Sequence, residues 1–175
     1  MDIQFRQAES GDVDVVSAVL TEAAAWLEAR GMGLWRASEL TPAEILEDVS
    51  QGLFFLAEHD SQTVGTIKFQ LSDVLFWPDV PRDDAAFIHR VAVRREFAGG
   101  TVSSALLSWA AQRTGSLGRP FLRLDCDAAR PRLRAVYERF GFRHHSDRQV
   151  GPYLVARYQL DVRALKTDST EPAAV

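Results

Sequence analysis

Residues 87–111 change hydrophobic period in mid-course, and that change restricts the fold more than any other feature of the chain. The run Phe87-Ile88-His89-Arg90-Val91-Ala92-Val93 is compact and rich in apolar residues, the pattern of a buried strand. Small residues follow at Ala98-Gly99-Gly100-Thr101-Val102-Ser103-Ser104, and then Val102, Ala105, Leu106, Trp109 and Ala110 recur at helical spacing. The segment therefore predicts a strand, a small-residue turn and an amphipathic helix, a unit of α/β architecture. The first amides of a helix point outward without intrahelical partners and bind anions, and small residues let a phosphate approach them. Arg94 and Arg95 place positive charge beside the turn. A glycine turn before a helix serves many ordinary connections too, so this unit alone does not assign a ligand.

The remaining chain is consistent with a single domain over residues 1–163. At 175 residues and 46% hydrophobic content it can bury one substantial core. The 20 Lys and Arg against 24 Asp and Glu include no basic block, which disfavours binding to nucleic acid. Cys126 is the only cysteine, which excludes an intrachain disulfide and a multi-cysteine metal cluster and suits a reducing cytoplasm. MDIQFRQA lacks the pattern of a signal peptide, and no apolar run is long enough for a membrane span.

Alternation over residues 3–7 predicts a first strand. Ser10 and Asp12 are candidate caps for a helix carrying Val15, Ala18, Val19, Ala23, Trp26 and Leu27, ended by Gly31 and Gly33. Thr41-Pro42-Ala43-Glu44 is a capping box for a second helix that stops at Gln51-Gly52. Residues 53–58 and 63–71 read as a hairpin about Asp60-Ser61-Gln62, and residues 76–84, with Pro78 and Pro81, as loop. A strand over 121–126 precedes a helix opened by Pro131, with Leu133, Val136, Tyr137 and Phe140 on one stripe and Gly141 as its stop. Residues 142–145 and 153–160 supply the last strands, and the tail from 164 is expected to be disordered.

The string from Ile88 to Leu107 resembles the acetyl-CoA motif of the GNAT superfamily of N-acetyltransferases. Leu122-Arg123-Leu124-Asp125-Cys126, followed by Leu133 to Tyr137-Glu138-Arg139-Phe140-Gly141-Phe142, looks like the family's next strand and its Tyr-Glu-x-x-Gly-Phe helix end. The resemblance implies a mixed, mostly antiparallel sheet of about seven strands, splayed in the middle and flanked by about four helices, with acetyl-CoA as cosubstrate. It implies that backbone groups of Val91, Ala92 and Val93 orient the thioester, and that Ala98, Gly99, Gly100, Thr101, Val102, Ser103 and Ser104 face the pyrophosphate. Arg130 stands where many relatives carry an asparagine beside the cofactor. Ala98, Thr101 and Ser103 also depart from the family pattern, and Thr101 adds a Cβ where a glycine is usual.

Direct acetyl transfer needs a neutral amine, a polarised thioester carbonyl and a proton for the departing thiolate. Tyr137 aligns with the tyrosine that protonates the coenzyme A sulfur, although its stripe also suits a core residue. His89 precedes Val91 and Val93 by even steps, which puts it on their side of a regular strand as a candidate proton acceptor. The alternatives are a structural histidine and a water chain. Cys126 lacks a His/Asp arrangement that would make it an acyl carrier. His144 and His145 are adjacent, which is poor spacing for a metal. Trp35, Phe76 and Trp77 are loop aromatics, which more often cover core than recognise a ligand, but their loops are expected to border the acceptor, which makes them candidate walls for an amine as well.

The expected activity is transfer of acetyl from acetyl-CoA to a primary amine of a small molecule, without metal or acyl-enzyme. A weakly catalytic acyl-CoA-binding or regulatory module, a protein N-terminal or lysine acetyltransferase and a cofactor-free interaction domain are the alternatives. A homodimer is compatible with every one of these readings.

Overall fold

The computed structural model describes residues 1–166. They form β1 (Gln4–Gln7), α1 (Val13–Glu28), α2 (Pro42–Ser50), β2 (Phe54–His59), β3 (Gln62–Gln70), β4 (Ala85–Val93), α3 (Val102–Ser116), β5 (Phe121–Asp127), α4 (Pro131–Phe140), β6 (Arg143–Val150) and β7 (Tyr153–Asp161). The seven strands are ordered β1-β2-β3-β4-β5-β7-β6. The β4–β5 pair is parallel, and β1–β2, β2–β3, β5–β7 and β6–β7 are antiparallel. This is the expected mixed sheet with four helices. Ala164–Lys166 form a short 3-10 turn, and the remainder of the expected tail, from Thr167 on, lies outside the described residues. No helix among the described residues is long and apolar enough to cross a membrane.

The described residues divide into two compact units, residues 1–69 with 89–107, and residues 70–88 with those from 108 on. In the first, Val16, Val19 and Leu20 of α1 pack with Ile45 and Val49 of α2, Phe54 and Leu56 of β2, Leu40 and Ala92. Burial of each large aliphatic side chain contributes about 1.5–3 kcal/mol, which is what holds α1 and α2 to the strands. The buried stripe of α1 runs through Val13, Val16, Val19, Leu20 and Ala24, while Ala18, expected on it, is exposed. The expected caps are also replaced. Asp12 makes no side-chain cap to α1; its carboxylate accepts from the Glu9 amide at 2.8 Å and from Arg6 at 2.7 and 2.9 Å. A charge-assisted bidentate bond is stronger than a single amide cap, so Asp12 closes a 3-10 turn over Ser10–Asp12 instead.

Thr41 caps α2 as expected, accepting from the Glu44 amide at 3.4 Å with Pro42 at the first helical position. Asp60 and Ser61 take φ of 49° and 63°, and Gln62 already pairs with His59. The hairpin turn is thus two residues long, with the left-handed backbone that such turns require. Gly65 in β3 is needed for a close approach: a Cβ there would lie 2.9 Å from the Ala92 carbonyl oxygen.

In the second unit, β5 lies between β4 and β7, with Ala85–Ile88 paired to Phe121–Leu124 and Phe121–Asp127 paired to Asp161–Val155. The last hairpin is longer than residues 142–145 suggested, because β6 runs to Val150 through a register shift between His144 and Ser146. Gly141 ends α4 with φ 116°, a left-handed conformation that suits glycine. Val136, expected on the apolar stripe of α4, is 37% exposed.

Candidate functional site

In the first unit, β4 leads through a 3-10 turn at Arg95–Phe97 and the segment 98–101 into α3. Gly99 has φ +81° and nothing within 4 Å of an added Cβ. Its glycine therefore serves the left-handed backbone rather than packing. Gly99, Gly100, Thr101 and Ser104 are exposed, Ala98 and Ser103 half-buried, and Val102 buried beneath the turn. The Ala105 amide donates to the Thr101 carbonyl at 2.9 Å. The amides of Val102, Ser103 and Ser104 precede that first helical bond and belong to the unpaired set at a helix N-terminus. An open turn followed by outward amides fits the pyrophosphate of a coenzyme A thioester.

The two arginines beside the turn are less available than their sequence position suggested. Arg94 Nη1 donates to Glu22 at 2.8 Å, and the Arg95 amide donates to the same carboxylate at 2.6 Å. Arg95 stacks its guanidinium 3.7 Å from the Trp26 ring centre, and Arg30 lies 4.0 Å from that ring. Sequence reasoning missed Glu22 because it is an ordinary acid on α1, and only the fold brings it to Arg94. Backbone geometry at β4 also differs from a regular strand. Arg90 has φ +53°, so a two-residue alternation counted back from Val91 or Val93 does not carry through to His89. His89, Val91 and Val93 are half-buried and Ala92 is buried.

Trp35 is half-buried in the connection between α1 and α2 and packs against the core of this unit. The adjoining turn at Ala37–Glu39 is closed by Glu39 accepting from the Arg36 amide at 3.1 Å. Ser17 donates its hydroxyl to the carbonyl of buried Leu40. The guanidinium of Arg90 lies 5.6 Å from the Trp35 ring centre, so these two side chains are brought together.

The second unit carries Tyr137 on α4. Burial pushes its phenol above its usual value, and Cys126 and Asp125 add to the shift; at neutral pH the group keeps its proton. Its ring meets Phe142 edge-on at 6.0 Å and Tyr158 at 6.3 Å. Tyr158, fully buried on β7, accepts from Arg134 Nε at 2.8 Å and donates to Glu138 Oε1 at 2.7 Å. Arg134 and Glu138 are one helical turn apart, a spacing that suggests a pair with each other; instead both hold Tyr158 and so fix the helix that carries Tyr137. Arg130 lies just before α4, with Nε 3.3 Å from Asp127. Burial, and secondarily Asp125, pushes the Cys126 thiol up to about 12, which removes the thiolate that an acyl carrier needs.

Trp77, read as either core cover or a substrate wall, is a core residue. It is 3% exposed and clusters with Ala85 and Phe87, with Phe76 packed alongside. Arg157 and Arg123 flank its ring at 4.6 and 5.4 Å. Each arginine is fixed by a bidentate aspartate, Asp79 for Arg157 and Asp84 for Arg123, with closest contacts of 2.6 Å in both cases. The Arg157 bond holds the Asp79 carboxyl well below the usual carboxylate range. These aspartates read in the sequence only as loop formers, because their partners lie far along the chain. A cavity of ≈ 90 Å³ beside Trp77, Ser72 and Phe87 has room for a few waters rather than an amine substrate.

Comparison with known proteins joins these features to a family. The chain is 27% identical over 139 residues to YesJ of Bacillus subtilis strain 168, an uncharacterised N-acetyltransferase, covering 75% of this chain and 76% of YesJ. The crystal structure of a GNAT-family acetyltransferase from Listeria monocytogenes 4b F2365 superposes with a TM-score of 0.77 at 23% identity, covering 91% and 94% of the two chains. AAC(6')-Ib, solved with paromomycin and acetyl-CoA, gives a TM-score of 0.76 at 12% identity, covering 98% of this chain and 100% of its own. These structures share the fold. Residues 20–142 match the model of the acetyltransferase (GNAT) family, and the chain belongs to that family.

Proposed function

We propose that this GNAT-family protein transfers the acetyl group of acetyl-CoA directly to a primary amine of a small molecule. The observation that carries the reading is the open turn at Gly99 and Gly100 that delivers the amides of Val102, Ser103 and Ser104 at the start of α3. Acetyl-CoA supplies an acyl group already activated as a thioester. Backbone groups of Val91, Ala92 and Val93 orient its carbonyl, segment 98–104 binds its phosphates, and Arg130 adds positive charge for them. His89 takes the amine proton, and Tyr137 gives a proton to the departing sulfur. Buried, protonated Cys126 supports direct transfer over an acyl-enzyme. The likeness in fold to AAC(6')-Ib, solved with paromomycin and acetyl-CoA, supports a small-molecule acceptor. Half-buried Trp35 is a wall for that acceptor.

The test is thiol release from acetyl-CoA across a panel of small amines and peptide N-termini, alongside calorimetry with coenzyme A. Turnover with small amines is expected. Coenzyme A binding with no turnover on any amine would overturn the catalytic reading, and turnover confined to peptides would overturn the acceptor class.

A further inference from the structure

Arg90 combines two unfavourable features that its neighbours do not relieve. It is a non-glycine residue within a strand at φ +53°, a conformation that costs an L-residue about 1–2 kcal/mol. Its Nη1 is buried and no described residue accepts from it. A buried donor without a partner costs about 1–3 kcal/mol, and more when it is charged. Strain at a single residue persists where the surroundings over-determine it, and such residues cluster at ligand sites.

The acids within electrostatic reach of Arg90 are Glu39 and Asp48, and each has another partner. Glu39 Oε2 accepts from the Arg36 amide at 3.1 Å, and Asp48 Oδ2 accepts from Lys68 Nζ at 2.7 Å. A further neighbour is the flat, apolar ring of Trp35, 5.6 Å from the guanidinium carbon. Burial lowers the guanidinium from its ordinary value, with Glu39 and Asp48 opposing, yet an arginine remains charged under all physiological conditions. The result, among the described residues, is a half-buried cation with an aromatic wall, an unpaired Nη1 and no carboxylate paired to it.

We infer that Arg90, backed by Trp35, is a specificity-determining receptor for a carboxylate on the amine acceptor. The inference rests on the acetyl-transfer reading and narrows its substrate class to amines that also carry an anionic group, such as amino acids and amino-terminated acids. A guanidinium presents parallel N–H donors that match the two oxygens of a carboxylate, and this geometry gives selectivity as well as energy. Trp35 covers the apolar stem between the amine and the acid. The same donors accept a phosphate, and the carboxylate is favoured because a planar anion can lie along the Trp35 ring.

The experiment compares matched acceptors on the full chain: an α-amino acid, its decarboxylated amine and the corresponding aminoalkyl phosphonate. In wild type, kcat/KM for the amino acid is expected to exceed that of the plain amine by about 10- to 100-fold, the effect of a charge-assisted bond. Arg90→Met keeps the stem and Arg90→Lys keeps the charge without the fork. The preference should fall to near unity in the first and to an intermediate value in the second, with the change residing mainly in KM. Calorimetry with the amino acid in the presence of coenzyme A gives a readout independent of turnover, and binding should weaken in the same order. Equal rates for amino acid and plain amine in wild type would overturn the inference while leaving acetyl transfer intact. Preference for the phosphonate would also overturn it, and turnover of no amine would overturn the acetyl-transfer reading and this inference together.

Discussion

The carboxylate of Glu22 on α1 accepts the backbone N–H of Arg95 at 2.6 Å. The same carboxylate holds the Arg94 side chain at 2.8 Å, so one acid on the first helix fixes the exit of β4 just before the turn at Gly99. With the Glu22 side chain 32% exposed, loss of this carboxylate is expected to cost about 1–2 kcal/mol after allowance for solvent screening. Glu22→Gln should show that loss in urea unfolding at pH 7, together with weaker coenzyme A binding.

The same pair predicts a pH dependence. Burial opposes ionisation of Glu22, but the Arg95 amide and Arg94 outweigh it and hold the carboxyl below its ordinary value. A group whose folded-state value is depressed contributes stability above its unfolded value, near 4.3 for glutamate, and loses it as pH falls through the lower folded value. The stability gap between wild type and Glu22→Gln should therefore be full at pH 6–7 and shrink in acid below about pH 4. A gap of constant size down to pH 3 would show that the carboxylate charge plays no part.

Gly99 separates two effects in one position. Its φ of +81° penalises any side chain, while the space around an added Cβ is open. Gly99→Ala should cost about 1 kcal/mol of stability through backbone strain, with partial retention of coenzyme A affinity. Gly99→Trp adds bulk over the amides of 102–104 and should abolish binding in calorimetry. A folded Trp variant with wild-type affinity would remove this turn from the phosphate site.

The turn and the helices were legible in the sequence because their signals are local. The Gly99-Gly100 turn, the Thr41-Pro42 start and the Gly141 stop each depend on residues within one turn of the chain. Arg90 was not legible: Ile88 to Val93 reads as an unbroken strand, and a positive φ at an arginine leaves no mark in composition. Trp77 illustrates the other limit. A tryptophan among prolines and aspartates reads as a loop residue that could cover core or wall a substrate, and the arginines that flank its ring, Arg123 and Arg157, arrive from β5 and β7. Long-range partners decided that Trp77 is buried while Trp35 stays half-buried.

His89 is the side-chain candidate for taking a proton from the amine. A positioned acceptor is worth about 10²–10⁴-fold in general-base catalysis, and part of that is replaceable by solvent. His89→Gln keeps size and polarity, and turnover should fall by about 10- to 10³-fold, with near-normal coenzyme A affinity. A folded variant with wild-type turnover would assign His89 a structural role and leave the proton to water.

Tyr137 is the last group to test, and its surroundings define what the test must separate. Its phenol is held protonated by burial, with Cys126 and Asp125 adding to the effect, and its ring packs against Phe142 and Tyr158. Tyr137→Phe leaves those ring contacts in place and removes one hydroxyl, so stability and coenzyme A affinity should change little. If the hydroxyl protonates the departing sulfur, kcat should fall by about 10²-fold or more. A discriminating control is a thioester whose leaving thiol is more acidic than coenzyme A, because it departs without help and should narrow the gap between wild type and variant. Equal loss with both thioesters would point to a positioning effect on α4, and no loss with either would leave Tyr137 as an aromatic packing residue between Phe142 and Tyr158.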